Sequence, residues 1–128
     1  MTSETKVLIV DDDEFLLEMY ALKFRELGFA VEIAKNGEEA VQKAKEVSPD
    51  VILLDVVMPK MDGFDVLRVL RKENIASKAI VLILTNLGQK DDFDRGMKFG
   101  ATDYIVKAHY TPSEVVKKVQ SLLKKNKK

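Results

Sequence analysis

Hydrophobic and polar positions alternate between two rhythms along this chain. Short, continuous, β-branched runs fall around Val7-Leu8-Ile9-Val10, Val31 and Ile33, Val51-Ile52-Leu53-Leu54, Ile80-Val81-Leu82-Ile83-Leu84 and Tyr104-Ile105-Val106. Unbroken apolar runs of this length fit strands of a sheet covered on both faces. Between them lie amphipathic stretches that predict helices near 13–27, 37–47, 63–73, 89–99 and 112–125. In the first of these, Phe15, Met19 and Leu22, flanked by Leu16, Tyr20 and Leu27, predict a wide core-facing stripe. Ala40, Val41, Ala44 and Val47 predict the same for the second. Helix starts are well marked. Asn36 with Glu39 fits a capping pattern, Asp62-Gly63 opens the third helix, and Thr111-Pro112-Ser113-Glu114 combines an N-cap, a first-position Pro and a capping-box Glu.

Five strand–helix alternations with short connections predict an α/β fold: a doubly wound parallel sheet with helices on both faces and right-handed crossovers. The 128 residues show no linker, repeat or low-complexity stretch, so one domain over 1–128 is expected. Gly96, inside the fourth helix pattern, costs about 1 kcal/mol against Ala, and a close packing contact is the expected reason.

The ends of the runs carry the chemistry. The first stops at Asp11-Asp12, the third at Asp55, the fourth at Thr85 and the fifth at Lys107; the second ends blandly. In an open parallel sheet all carboxyl ends lie on one edge, where ligands bind. Three carboxylates, a hydroxyl and an ammonium are therefore expected to converge. Each has an ordinary use alone: Asp and Thr as helix caps, Lys as a surface charge, and Asp12, Asp13 and Glu14 as acids suited to a helix start. The joint pattern is what favours a site.

Asp11, Asp12 and Asp55 would crowd three negative charges, which disfavours ionisation unless cations compensate. Lys107 supplies one positive charge and a divalent ion two. Oxygen ligands without His or Cys point to Mg²⁺, with Mn²⁺ possible, rather than zinc. Asp55 is the expected nucleophile, since carboxylates form acyl phosphates. Lys107 and the metal would neutralise phosphoryl oxygens, and Thr85 would hydrogen-bond the attached group. His109 lies in a polar loop with no expected role. Tyr104, in a late strand, reads as packing with a hydroxyl seeking a partner.

Composition narrows the classes further. The chain is 46% hydrophobic and 33% charged with zero net charge and no cysteine, which excludes disulfides, thiol chemistry and Cys-built zinc sites. The polar start Met1–Lys6 has no signal-peptide pattern, and the longest apolar run, Ala79 to Leu84, has six residues, far short of a membrane span. A cytoplasmic protein is expected. From Lys107 to Lys128 there are seven Lys and one Glu, net +6, leaving −6 on the first 106 residues. The terminal Lys124-Lys125-Asn126-Lys127-Lys128 reads as a solvated helix end rather than a nucleic-acid or membrane patch, because no aromatic residues interleave with the lysines.

These residues resemble the receiver domain of two-component response regulators across essentially the whole chain. The resemblance rests on Lys6-Val7-Leu8-Ile9-Val10-Asp11-Asp12-Asp13, on Asp50 through Gly63 (including Asp55, Met58-Pro59 and Asp62-Gly63), on Leu84-Thr85, and on Phe99-Gly100-Ala101-Thr102-Asp103-Tyr104-Ile105-Val106-Lys107. It implies the flavodoxin-like strand order 2-1-3-4-5. It implies that Asp55 accepts a phosphoryl group from a sensor kinase's phosphohistidine, or through a phosphotransfer protein. Asp12 and Asp55 would bind Mg²⁺ directly, Asp11 mainly through water, and the Val57 carbonyl would be a third protein ligand. Thr85 and Tyr104 would be the switch pair, altering the face of the fourth helix, fifth strand and fifth helix for a downstream protein target. A monomer or a phosphorylation-dependent dimer is implied.

Three departures from the family pattern stand out. Asn86 replaces a small residue after the Thr, with the expectation that its amide restricts access to Asp55. Ala108 replaces the usual Pro after Lys107, and a trans Lys107-Ala108 peptide is expected. Val57 and Leu87 are apolar where fast-dephosphorylating members carry polar groups. Alternative readings are a receiver acting only as an interaction module, a haloacid-dehalogenase-type phosphatase and a flavodoxin-like cofactor module. The phosphatase needs a second Asp where Val57 stands. The cofactor module needs a Ser/Thr/Gly-rich phosphate loop where this chain is triply acidic.

Overall fold

The computed structural model describes residues 4–126. The first three residues and Lys127-Lys128 of the basic tail lie outside the described residues. Five strands, β1 (Lys6–Val10), β2 (Ala30–Ala34), β3 (Val51–Leu54), β4 (Ile80–Thr85) and β5 (Asp103–Val106), alternate with helices α1 (Glu14–Glu26), α2 (Gly37–Val47), α3 (Gly63–Lys72), α4 (Lys90–Lys98) and α5 (Pro112–Asn126). All strand pairs are parallel and the order is β2-β1-β3-β4-β5, as the resemblance implied. The predicted helices are all present, within about two residues at each end, the usual uncertainty of helix boundaries.

Strand side chains alternate between two cores. Leu8, Val10, Ile52, Leu54, Val81 and Ile83 meet Phe64, Leu67 and Leu70 of α3 and Ala40 and Ala44 of α2. Val7, Ile9, Val51, Leu53, Ile80 and Leu82 meet α1 and α5 on the opposite face. The caps form as expected. The Asn36 side chain accepts the Glu39 N–H at 2.8 Å. Thr111 and Glu114 exchange both capping-box bonds, and Asp62 with Asp65 makes a further box.

The α1 stripe is a correction. Phe15 is 72% exposed and Leu22 58%, and Leu27 is also exposed; of the expected stripe Tyr20 is buried and Leu16 packs against the core, and the other buried positions are Leu17, Ala21 and Phe24. A second stripe, offset around the helix, packs on the sheet and α5.

Helix α4 is the least anchored. Gly96 is its one buried residue, and its N-cap Gln89 makes no side-chain cap bond. A Cβ on Gly96 would stand 2.8 Å from Ile83 Cδ1 and 3.0 Å from Tyr104 Cδ2, so the glycine permits the expected close contact.

Candidate functional site

Parallel register builds the site. Val10 pairs with Leu54, so the next residues, Asp11 and Asp55, stand level on adjacent strands. Leu54 pairs with Ile83, which sets Thr85 one step beyond Asp55's level on the next strand. Thr85 pairs with Val106, so Lys107 follows one step further along β5. Buried groups replace the usual polar exposure of strand ends: Asp11 is 2% exposed, Asp55 6% and Thr85 0%.

Lys107 reaches back across β4 to both carboxylates. Its ammonium donates to Asp11 Oδ2 at 2.7 Å and to Asp55 Oδ2 at 3.0 Å. The other Asp11 oxygen accepts the Asp13 N–H at 2.9 Å, and Asp55 Oδ1 accepts the Val57 N–H at 3.3 Å. Asp12 is exposed. Asp13, by contrast, caps α1, accepting from the Phe15 and Leu16 N–H groups. Carboxylate oxygens of Asp11, Asp12 and Asp55 lie within 4.8 Å of one another.

The electrostatics leave the cluster short of positive charge. Three carboxylates against one ammonium sum to −2. Burial pushes the Asp11 carboxyl above its usual range, although the Lys107 hydrogen bond pulls it down. Burial would also lower Lys107, but its hydrogen bonds and charge interactions with Asp11 and Asp55 outweigh that and raise it. An oxygen-only donor set with two uncompensated charges fits a hard divalent cation.

Thr85 Oγ1 accepts the Leu87 N–H at 3.5 Å, the outer limit of a hydrogen bond. Tyr104 is buried, and its hydroxyl donates to the Leu87 carbonyl at 2.6 Å. Burial, then the charges of Asp92 and Asp55, push its hydroxyl up to about 12. The Tyr104 ring also meets Phe93 of α4 edge-on at 5.7 Å. Tyr104 thus ties the β4–α4 loop and α4 to β5.

Two contacts escaped the sequence reading. One is the Leu87 carbonyl as Tyr104's partner. The other is Asn86: its side-chain oxygen accepts the Ala108 N–H at 3.1 Å, so the amide is tethered toward the β5–α5 loop. No cis peptide bond occurs among the described residues, and Lys107-Ala108 is trans as expected. Residues Lys107–His109 form a 3₁₀ turn where a plain loop was expected. The signal available in the sequence was joint: an acceptor side chain after Thr85 and a residue with an N–H after Lys107.

With this geometry, the family model of the response regulator receiver domain matches residues 7–120. The chain belongs to that family, a signalling domain of two-component systems. It is 36% identical over 124 residues to the transcriptional regulatory protein ResD of Bacillus subtilis, covering 97% of this chain and 50% of that one. It is 37% identical over 125 residues to the DNA-binding response regulator MtrA of Mycobacterium tuberculosis, covering 98% and 53%. The chain spans about half the length of these curated relatives. Among solved structures it is similar to Vibrio cholerae chemotaxis protein CheY4, with TM-score 0.87, 33% identity and coverage of 93% and 98%. It is also similar to the Francisella response regulator 1452 receiver domain, with TM-score 0.87, 35% identity and coverage of 97% and 100%. Among the described residues, no helix is long and apolar enough to cross a membrane.

Proposed function

We propose that the chain, as one receiver domain over residues 1–128, accepts a phosphoryl group on Asp55 from the phosphohistidine of a sensor kinase or phosphotransfer protein in the cytoplasm. The observation that carries this reading is the Lys107 ammonium bridging buried Asp11 and Asp55, with Asp12 alongside. In the transfer an Asp55 carboxylate oxygen forms a bond to phosphorus, the phosphorus–imidazole bond breaks, and its electron pair leaves with the imidazole. Lys107 is placed to donate to a phosphoryl oxygen, and Thr85 to hydrogen-bond the group once attached. Asp12, Asp55 and the Val57 carbonyl, with Asp11 through water, would hold Mg²⁺ (or Mn²⁺). Bound there, the ion supplies charge neutralisation for the phosphoryl oxygens.

The output follows from the weak hold on α4. A Thr85 hydroxyl drawn to the phosphoryl group would release its Leu87 N–H contact. The Tyr104–Leu87 bond and the Phe93 and Gly96 contacts respond together, which changes the α4–β5–α5 face offered to a downstream protein. The receiver modifies itself and turns over no separate metabolite. The testing experiment is incubation with acetyl phosphate and Mg²⁺, followed by mapping of the label. A labelled Asp55 supports the reading, whereas an unlabelled protein leaves only a docking module.

Replacing Lys107 by Ala is expected to leave the fold intact and to slow labelling by about tenfold or more, since one charged donor to the phosphoryl oxygens is lost. Arg is expected to restore only part of the rate, because a planar fork replaces a compact point charge. Labelling kinetics check this, and wild-type rates in Lys107→Ala would make Lys107 a structural lysine.

The phosphorylated form is expected to decay slowly for its family. Val57 and Leu87 line one recess beside Asp62 and Arg95 and offer no side-chain group to orient a water. Val57→Asn or Leu87→Glu is expected to speed first-order loss of label several-fold. Unchanged decay in both variants would show that water placement is not the limit.

A further inference from the structure

The hydrogen bond from the Ala108 N–H to Asn86 joins the two loops that flank the site. Lys107 opens the 3₁₀ turn Lys107–His109, closed by the Tyr110 N–H on the Lys107 carbonyl at 3.1 Å. So short a turn holds itself weakly. The first N–H groups of any helical turn find no partner within it, and Val106, the residue before this one, supplies no side-chain cap. Asn86 fills that place from the loop that follows the neighbouring strand. It follows Thr85 at the end of β4, the strand that Lys107 must cross to reach Asp55 on β3 and Asp11 on β1.

We propose that Asn86 is a positioning residue for Lys107: by capping the Lys107–His109 turn from the end of β4, it holds the turn in the orientation that delivers the ammonium to Asp11 and Asp55. The need is geometric. Lys107 carries four rotatable side-chain bonds, and its useful pose depends on where its backbone starts. A trans peptide after Lys107 leaves an N–H available as the handle, and Asn86 is the group that takes it. The amide carbonyl acts on Lys107 through the backbone and touches no reacting atom. The consequence for phosphoryl acceptance rests on the function proposed above; the positioning itself does not.

The test compares wild type, Asn86→Leu and Asn86→Asp. Leu matches the size of Asn and has no acceptor, while Asp keeps an acceptor oxygen in the same place. The first readout is the ¹H–¹⁵N signal of the Lys107 ammonium in metal-free protein, in high salt to screen the added Asp charge. A paired ammonium exchanges slowly and is seen. The expected result is a signal in wild type, its loss in Asn86→Leu and its return in Asn86→Asp. The second readout is the rate of labelling by acetyl phosphate at saturating Mg²⁺. It is expected to fall roughly three- to tenfold in Asn86→Leu, the range one neutral hydrogen bond supplies, and to recover in Asn86→Asp. A retained ammonium signal in Asn86→Leu, or its equal loss in both variants, would overturn the proposal. If wild type takes no label, the function reading fails while the ammonium signal still decides whether Asn86 positions Lys107.

Discussion

Asp55→Asn is expected to fold normally and to take no phosphoryl group from acetyl phosphate and Mg²⁺. The carboxamide matches the carboxylate in shape, so the buried strand end keeps its packing. One oxygen can still accept from Val57 or Lys107, and the shorter Asp11–Lys107 bond is untouched. What disappears is the nucleophile, because a neutral amide does not attack phosphorus. Intact mass before and after treatment, with peptide mapping, reads the result; wild-type labelling of the variant would end the assignment of Asp55. The same substitution is expected to relieve the metal-free protein. Burial holds the Asp11 carboxyl above the ordinary carboxylate value of 3.8, and the Asp55 charge adds to that. A raised carboxyl binds its proton more tightly when folded. Its contribution to stability is therefore greatest in acid and is lost as pH rises from 3.8 through the raised folded value. Removing the Asp55 charge narrows that window. Urea melts across this pH range are expected to show a smaller fall in stability on raising pH in the variant than in wild type.

The fold was legible because parallel sheets covered on both faces demand apolar strands, and β1, β3 and β4 carry unbroken runs of them, while the edge strand β2 is interrupted by Glu32. The convergence of these residues was legible because each ends a strand or lies within two residues of its end, and register does the rest. What stayed hidden was non-local. Helix α1 carries apolar residues at 15, 16, 17, 19, 20, 21, 22 and 24, enough for two overlapping stripes. Periodicity alone could not choose between Phe15-Met19-Leu22 and Leu17-Tyr20-Ala21-Phe24; packing against the sheet and α5 chose the second. The Asn86–Ala108 bond spans 22 positions, and nothing local to either residue announces it. The expectation for Asn86 was restricted access to Asp55; the structure adds that its side-chain oxygen accepts the Ala108 N–H.

Gly63→Ala is expected to be the most damaging single methyl that can be added near the site. Gly63 opens α3, and its N–H donates to the Val56 carbonyl at 2.9 Å. A Cβ there would overlap the Asp55 carbonyl oxygen and stand 2.8 Å from Val56 Cα. These are backbone atoms at the end of β3, and they cannot swing aside as a flexible side chain would. Gly63 is not among the positive-φ glycines, so space rather than backbone conformation excludes Ala. The helix it opens buries Phe64, Val66, Leu67 and Leu70. Relief would require α3 to lift from the sheet or the Asp55 peptide to shift, and either disturbs the core or the pocket. The expected loss is about 3 kcal/mol, at the upper end for overpacking, with slower labelling of whatever remains folded. Gly28→Ala is the matched comparison: Gly28 has φ +90 and nothing within 4 Å of an added Cβ. It carries conformational strain alone and is expected to lose about 1–2 kcal/mol. Urea unfolding of both variants reads the difference. If Gly63→Ala were no less stable than Gly28→Ala, the close approach of α3 to the Asp55 backbone would not be what requires glycine there.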